Sequence, residues 1–172
     1  MENTIKLFCE KVDDTEYYYV VPKNDISFLI ERGVGHFAKN LLAYVHDNKI
    51  SCLDCSLSLP YYEDKDIDEL FASDFGKCMT IEFPERKYLD ITSLTVRQLI
   101  RINKFLLTHG TEDILVFIMP ENCLHLGEQE QFCDSIVKSL NPEKTHKTII
   151  VYSFSPFTCS GQSDKMILCE PR

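Results

Sequence analysis

Segments with the period of a helix and segments with the period of a strand alternate along this chain, and two of the strand segments are apolar almost without interruption. Ile114-Leu-Val-Phe-Ile-Met119 lies between Asp113 and Pro120, and Thr148-Ile-Ile-Val-Tyr-Ser-Phe154 follows a helical segment closed by Asn141-Pro142. A strand with one wet face alternates apolar and polar residues, so an unbroken apolar run must be covered on both faces. Helices on either side of a parallel sheet give that cover. The pattern therefore predicts an α/β fold: a mixed, mostly parallel sheet with helices packed on its faces. A length of 172 residues suits one domain, 1–172.

Strands are expected at 4–9 and 17–21, joined through Val12-Asp-Asp-Thr-Glu16 as an N-terminal β-hairpin that Pro22 ends. A long helix is expected from Asn24 or Asp25 to Val45. It rests on the three- and four-residue spacing of Ile26, Leu29, Ile30, Val34, Phe37, Leu41, Leu42 and Val45. Gly33 and Gly35 inside it mark a close approach to a strand, or a break. Further strands are expected at 50–59 and 78–83, and a short acidic helix at 64–73 with Gly76 closing it. Thr95-Val-Arg-Gln98 fits a capping box opening a helix to His109, with Gly110 as a left-handed cap. A helix at 128–140 and an edge strand at 166–169 complete the series.

Charge is uneven. The net charge is −9, and residues 1–86 carry 17 acids against 9 bases. Nucleic acid and anionic membrane surfaces are poor partners for such a chain, because both are bound by clustered Lys and Arg. A basic protein partner suits it better. Residues 63–74 hold six acids and one Lys. Glu63, Asp64, Asp66, Asp68, Glu69 and Asp74, with Tyr61 and Tyr62 as anchoring rings, are therefore the candidate partner-binding residues. Asp64-Lys-Asp66-Ile-Asp68 starts like a calcium loop, but Glu69 stands where the loop needs Gly and Phe75 where it needs Glu. No stretch reaches 18 consecutive apolar residues, so no membrane span is expected. Most of the eight cysteines, Cys9, Cys78, Cys133 and Cys169 among them, sit in apolar runs, and all are read as reduced thiols of a cytoplasmic protein.

Catalytic signatures are missing. Only 6 residues are Gly. Neither G-x-G-x-x-G nor G-x-x-x-x-G-K-[ST] occurs, which disfavours nucleotide binding. Cys52-Leu-Asp-Cys55 has no second pair to complete a zinc site, and in a strand its thiols point to opposite faces. No cofactor and no metal is expected. Cys159 and Cys123 follow buried strands and are the two places for a reactive thiol beside a histidine.

Residues 78–120 run strand, Asp90-Ile-Thr92-Ser93-Leu94, helix, strand. That stretch resembles the core of a STAS domain, the fold of bacterial anti-sigma-factor antagonists. The family places Asp-Ser-Ser-Gly before the helix; here there is an extra residue and no Gly. The resemblance covers about a quarter of the chain and implies a phosphorylatable hydroxyl at Thr92 or Ser93. The leading expectation is a non-enzymatic, inhibitor- or immunity-like module that contacts a basic protein through its acidic face. A STAS-like regulatory protein and a cysteine-dependent enzyme are the alternatives.

Overall fold

The computed structural model describes residues 3–32, 36–79 and 89–169, with the backbone alone for His36. Strands β1 (Thr4–Val12) and β2 (Thr15–Pro22) form an antiparallel two-stranded sheet of their own. Asp13 and Asp14 turn between them, both with positive φ (48° and 64°). Two such residues match the twist of the flanking strands in a tight hairpin. Five further strands make a wholly parallel sheet: β3 (Ile26–Glu31), β4 (Ser51–Asp54), β5 (Ile114–Ile118), β6 (Thr148–Ser153) and β7 (Met166–Cys169). Their order across the sheet is β4-β5-β6-β3-β7. The α/β class, the opening hairpin, the covered interior strands and the edge position of β7 are as the sequence predicts.

Each interior strand is buried on both sides, and its residues divide by alternation. Phe28, Phe117, Ile149 and Val151 face a layer built from α2 (Asp64–Ala72), α3 (Asp74–Met79), α4 (Leu94–His109) and α5 (Leu126–Leu140). Leu29, Val116, Ile150 and Tyr152 face α1 (His36–Asp47) and the hairpin. Asn40 of α1 donates from its side chain to the Cys9 carbonyl (2.6 Å), at the register shift between Phe8 and Glu10. The bulge thus ties α1 to the hairpin. A short α6 (Pro142–Thr145) leads into β6, and two single-turn 3-10 segments, Pro156–Cys159 and Ser163–Lys165, lead into β7.

The expected helix from 24 or 25 to 45 is corrected. Its first quarter is β3, buried along its whole length and paired in parallel with β6 and β7. Ile26, Leu29 and Ile30 fit a helical spacing, but a strand covered on both faces is also apolar at every such position. Among the described residues, the helix of this stretch begins at His36. Other differences are local. Strand β4 spans four residues rather than ten. Cys78 and Met79 close helix α3 instead of opening a strand, Gly76 lies inside that helix, and positions 80–83 fall outside the described residues. Ser93, not Thr95, caps α4, its Oγ accepting from Val96 N–H (3.3 Å). Gly110 has a right-handed conformation (φ −62°).

Candidate functional site

Five parallel strands put all their carboxyl ends on one edge, the usual place for ligands in open α/β sheets. Glu31 stands there at the end of β3, Cys55 just beyond β4, Glu121 beyond β5 and Ser153 at the end of β6. Three separate sets of hydrogen-bonded polar groups surround them, with Glu31, Arg101, Gln98, Glu121 and Ser153 buried.

Glu31 closes the turn from β3 into α1. Its carboxyl accepts from the Phe37 backbone N–H (2.8 Å) and from the Tyr152 hydroxyl, 121 residues away. It is 5% exposed. Burial and the carboxyl neighbour push the Tyr152 phenol up, so the hydroxyl stays a donor. The first N–H groups of a helix lack partners inside the helix and attract anions. Here the chain's own carboxyl occupies that place.

Arg101 organises the other half of the edge. It is 8% exposed and donates to Cys55 O (3.0 Å), Leu57 O (2.9 Å) and Gln98 Oε1 (2.8 Å). Gln98 donates to Pro120 O (3.4 Å), and Asn122 donates to Cys55 O (2.9 Å). Helix α4 therefore clamps the loop after β4 to the loop after β5. Glu121 accepts from Ser153 Oγ (2.7 Å) and Phe154 N–H (3.1 Å), while burial raises its pKa above the ordinary glutamate range. Ser155 donates to Gln129 Oε1 (2.6 Å).

The predicted partner-binding residues are only partly together. Asp66, 8% exposed, accepts from Glu63 N–H (2.8 Å) and pairs with Lys104 (2.7 Å); these bonds hold its carboxyl below the usual range. Glu69 shares Lys104 (3.3 Å), and Glu63 pairs with Lys65 (3.2 Å). Asp64 and Asp68 are exposed on α2, and Asp74 is exposed at the start of α3. Tyr61, 92% exposed, lies under Arg97 (4.7 Å from ring centroid), and Tyr62 is half-buried beneath Lys104 (6.0 Å). Half of the supposed acidic face thus serves α2 and its link to α4.

Hydroxyls and thiols have local duties as well. Asp90 accepts from Thr92 N–H (2.9 Å) and Thr92 Oγ1 (2.8 Å), and Ser93 is a helix cap. Cys159 is buried, its thiol donates to Pro156 O (2.9 Å), and burial raises its pKa. Cys123 is half-buried, and its carbonyl accepts from Thr95 (2.9 Å). Cys52 and Cys55 pack toward opposite faces of the sheet, as their spacing predicts, and burial pushes both thiols up to about 12.

No protein-family model and no curated protein matches the sequence. Solved structures do match the fold. A metal-chelate type ABC transporter in an inward-facing conformation aligns over 96% of this chain and 77% of its own, with TM-score 0.59 and 14% identity. The ATP-binding cassette of an ABC transporter in its ADP conformation aligns over 96% of this chain and 86% of its own, with TM-score 0.57 and 10% identity. At these identities the likeness is one of fold. The likeness spans almost the whole chain. It overturns the expectation of a non-enzymatic inhibitor- or immunity-like module and, with it, the STAS-like alternative. A resemblance over a quarter of a chain yields to an alignment over nearly all of it.

The residues present do not fit a nucleotide in the manner of a phosphate loop. Such loops run from a strand into a helix as G-x-x-x-x-G-K-[ST], the Lys reaching the phosphates and the hydroxyl a magnesium ion. A strand-to-helix connection of this kind runs from β3 to α1. With Gly35 at the second glycine, Ile30 falls at the first, His36 at the Lys and Phe37 at the hydroxyl. Phe37 is 3% exposed and packs edge-on against Tyr19 (4.9 Å between centroids). Its N–H already holds Glu31. Gly33 and Gly35, expected to mark a close approach to a strand or a break, lie outside the described residues.

Proposed function

We propose that this chain is a cassette-type subunit of a transporter-like assembly that does not hydrolyse ATP at its own strand-to-helix turn. The observation that carries this reading is the Glu31 carboxyl seated on the Phe37 N–H. A phosphate entering that turn would have to displace a buried, doubly hydrogen-bonded acid, with neither Lys nor hydroxyl to receive it. Support for the assembly role comes from the alignment over 96% of the chain with proteins described as ABC transporter components. We also place the chain on the cytoplasmic side. No helix among the described residues is long and apolar enough to cross a membrane, and the eight cysteines are free thiols, as a reducing compartment keeps them.

Isothermal titration of the full chain with magnesium-ATP and with ADP tests the first half. No saturable heat at millimolar nucleotide, and no phosphate release above background, is the expected result. A micromolar Kd or measurable turnover overturns it. Affinity capture from detergent-solubilised membranes of the native host tests the second half. A cassette-bearing transporter component is expected in the eluate, and its absence overturns the assembly role.

A further inference from the structure

The two edges of the N-terminal hairpin are finished differently. Strand β1 carries the devices that keep a strand from pairing further: a bulge at Cys9, the Asn40 side chain on the Cys9 carbonyl, and Lys6 and Lys11 along its length. Strand β2 has none of them before Pro22, its last residue. It includes the β-prone run Tyr17-Tyr-Tyr-Val-Val21, and among the described residues its one strand neighbour is β1. An edge in that state presents backbone donors and acceptors at the spacing of another strand. The outer face beside this edge is apolar in the middle and charged at its ends. Register places Lys6 beside Val20, Phe8 beside Tyr18 and Lys11 beside Glu16. Phe8, Tyr18 and Val20 are 40%, 42% and 48% exposed, and Phe8 and Tyr18 meet edge-on (5.9 Å between centroids). Ile5, Leu7 and Val21, on the other face, are buried against the main sheet and α1.

We propose that β2 pairs antiparallel with β2 of a second copy of this chain, about a two-fold axis at Tyr18, joining the two hairpins into one four-stranded sheet. A two-fold contact uses the same surface on both copies, so the edge must complement itself. The charges meet that condition. Lys6 marks one end of the outer face and Glu16 the other, and antiparallel pairing reverses the ends. Glu16 of each copy then lies beside Val20 of the other and two strands from its Lys6, about 10 Å away, within reach of the two side chains. An in-register parallel alignment would set Glu16 against Glu16. The antiparallel sheet also gathers Phe8 and Tyr18 of both copies into one aromatic row across four strands. The contact does not use the turn between β3 and α1, so nucleotide binding there would leave it standing.

Sedimentation equilibrium of the full chain, with hydrogen exchange measured over the same concentration series, tests this pairing. A mass rising towards twice that of the chain is expected, with concentration-dependent protection centred on Tyr17–Val21. Tyr18→Lys, at an exposed position, sets two cations against each other at the axis and should raise the dimer dissociation constant at least about tenfold. Lys6→Glu alone should weaken the dimer, and Lys6→Glu combined with Glu16→Lys should recover most of that loss. Such recovery is not expected from a hairpin that is merely destabilised, so the charge exchange keeps the test decisive if Tyr18→Lys fails to fold. A monomer at every concentration, protection centred elsewhere, a dimer indifferent to Tyr18→Lys, or a double variant no tighter than Lys6→Glu overturns the proposal.

Discussion

Two buried polar regions of this molecule are built on opposite terms. At the carboxyl edge of the sheet, Glu31, Arg101, Gln98 and Glu121 each have partners from distant parts of the chain. Between α3, α4 and α5, buried Asn103 keeps a side-chain oxygen without one. An unmade buried hydrogen bond costs about 1–3 kcal/mol, while a made one gains only about 1. The first region therefore resists change, and the second holds free energy that a substitution can release. The contrast matters for function, because the edge is where such sheets usually take ligands, and there the described polar groups hold one another.

Arg101→Ala should break the contrast most severely. It leaves the Leu57 carbonyl and the Gln98 side-chain oxygen without the Arg101 donors and the Cys55 carbonyl with Asn122 alone, and should cost about 3 kcal/mol or more in urea unfolding. Arg97, one turn earlier on α4, donates to Leu59 O (3.0 Å) and Pro60 O (3.0 Å) and contacts exposed Tyr61. Arg97→Ala should cost about 0.5–1 kcal/mol, because water can replace what is lost. Equal costs would show that the edge is not buried as described.

Glu31→Ala should follow, at about 2 kcal/mol, by orphaning the Phe37 N–H and the Tyr152 hydroxyl together. Glu31→Gln keeps an acceptor and should cost about half as much. Neither variant should gain affinity for ATP in an equilibrium titration, since His36 and Phe37 still occupy the Lys and hydroxyl positions.

Glu121 supplies a pH signature. Its folded-state pKa is raised by burial, so the native state holds the proton more tightly than the unfolded chain. Stability from this group is fully present below the unfolded pKa and is lost as pH rises through the raised folded value. Urea midpoints measured upward from pH 4 should fall across that window. Glu121→Gln, which cannot ionise, should flatten the slope; an unchanged slope would move the titration to another group.

Asn103→Leu is the smallest expected effect and the only one of opposite sign. It removes an orphan oxygen and fills apolar space, and should stabilise the protein by about 0.5–1 kcal/mol in the same assay. A loss larger than that would mean that water or a neighbour already satisfies the amide.

Much of the fold is legible in local pattern, and the reasons differ by element. Strands β5 and β6 announce themselves by unbroken apolar runs, and α5 by Phe132, Cys133, Ile136 and Leu140 on one face. Strand β3 does not, because six fully buried residues satisfy a helical and a strand period equally. The candidate site is legible only in fragments. Acids at 63–74 stand out as a cluster, yet Asp66 and Glu69 turn out to answer Lys104, 38 and 35 residues further on.

Local pattern by itself determined the α/β class, the hairpin and the covered interior strands, since each depends on residue type and near-neighbour spacing. Only the tertiary structure decided that 26–31 is a strand, because pairing with β6 and β7 chooses between two periods that the residues fit alike. It alone placed Tyr152 on Glu31, set Arg101 against the loop after β4, and left Asn103 unpaired among three helices. Those are contacts between segments far apart in the chain, and hydrogen-bond satisfaction of a buried group depends on what packs against it, not on what precedes it.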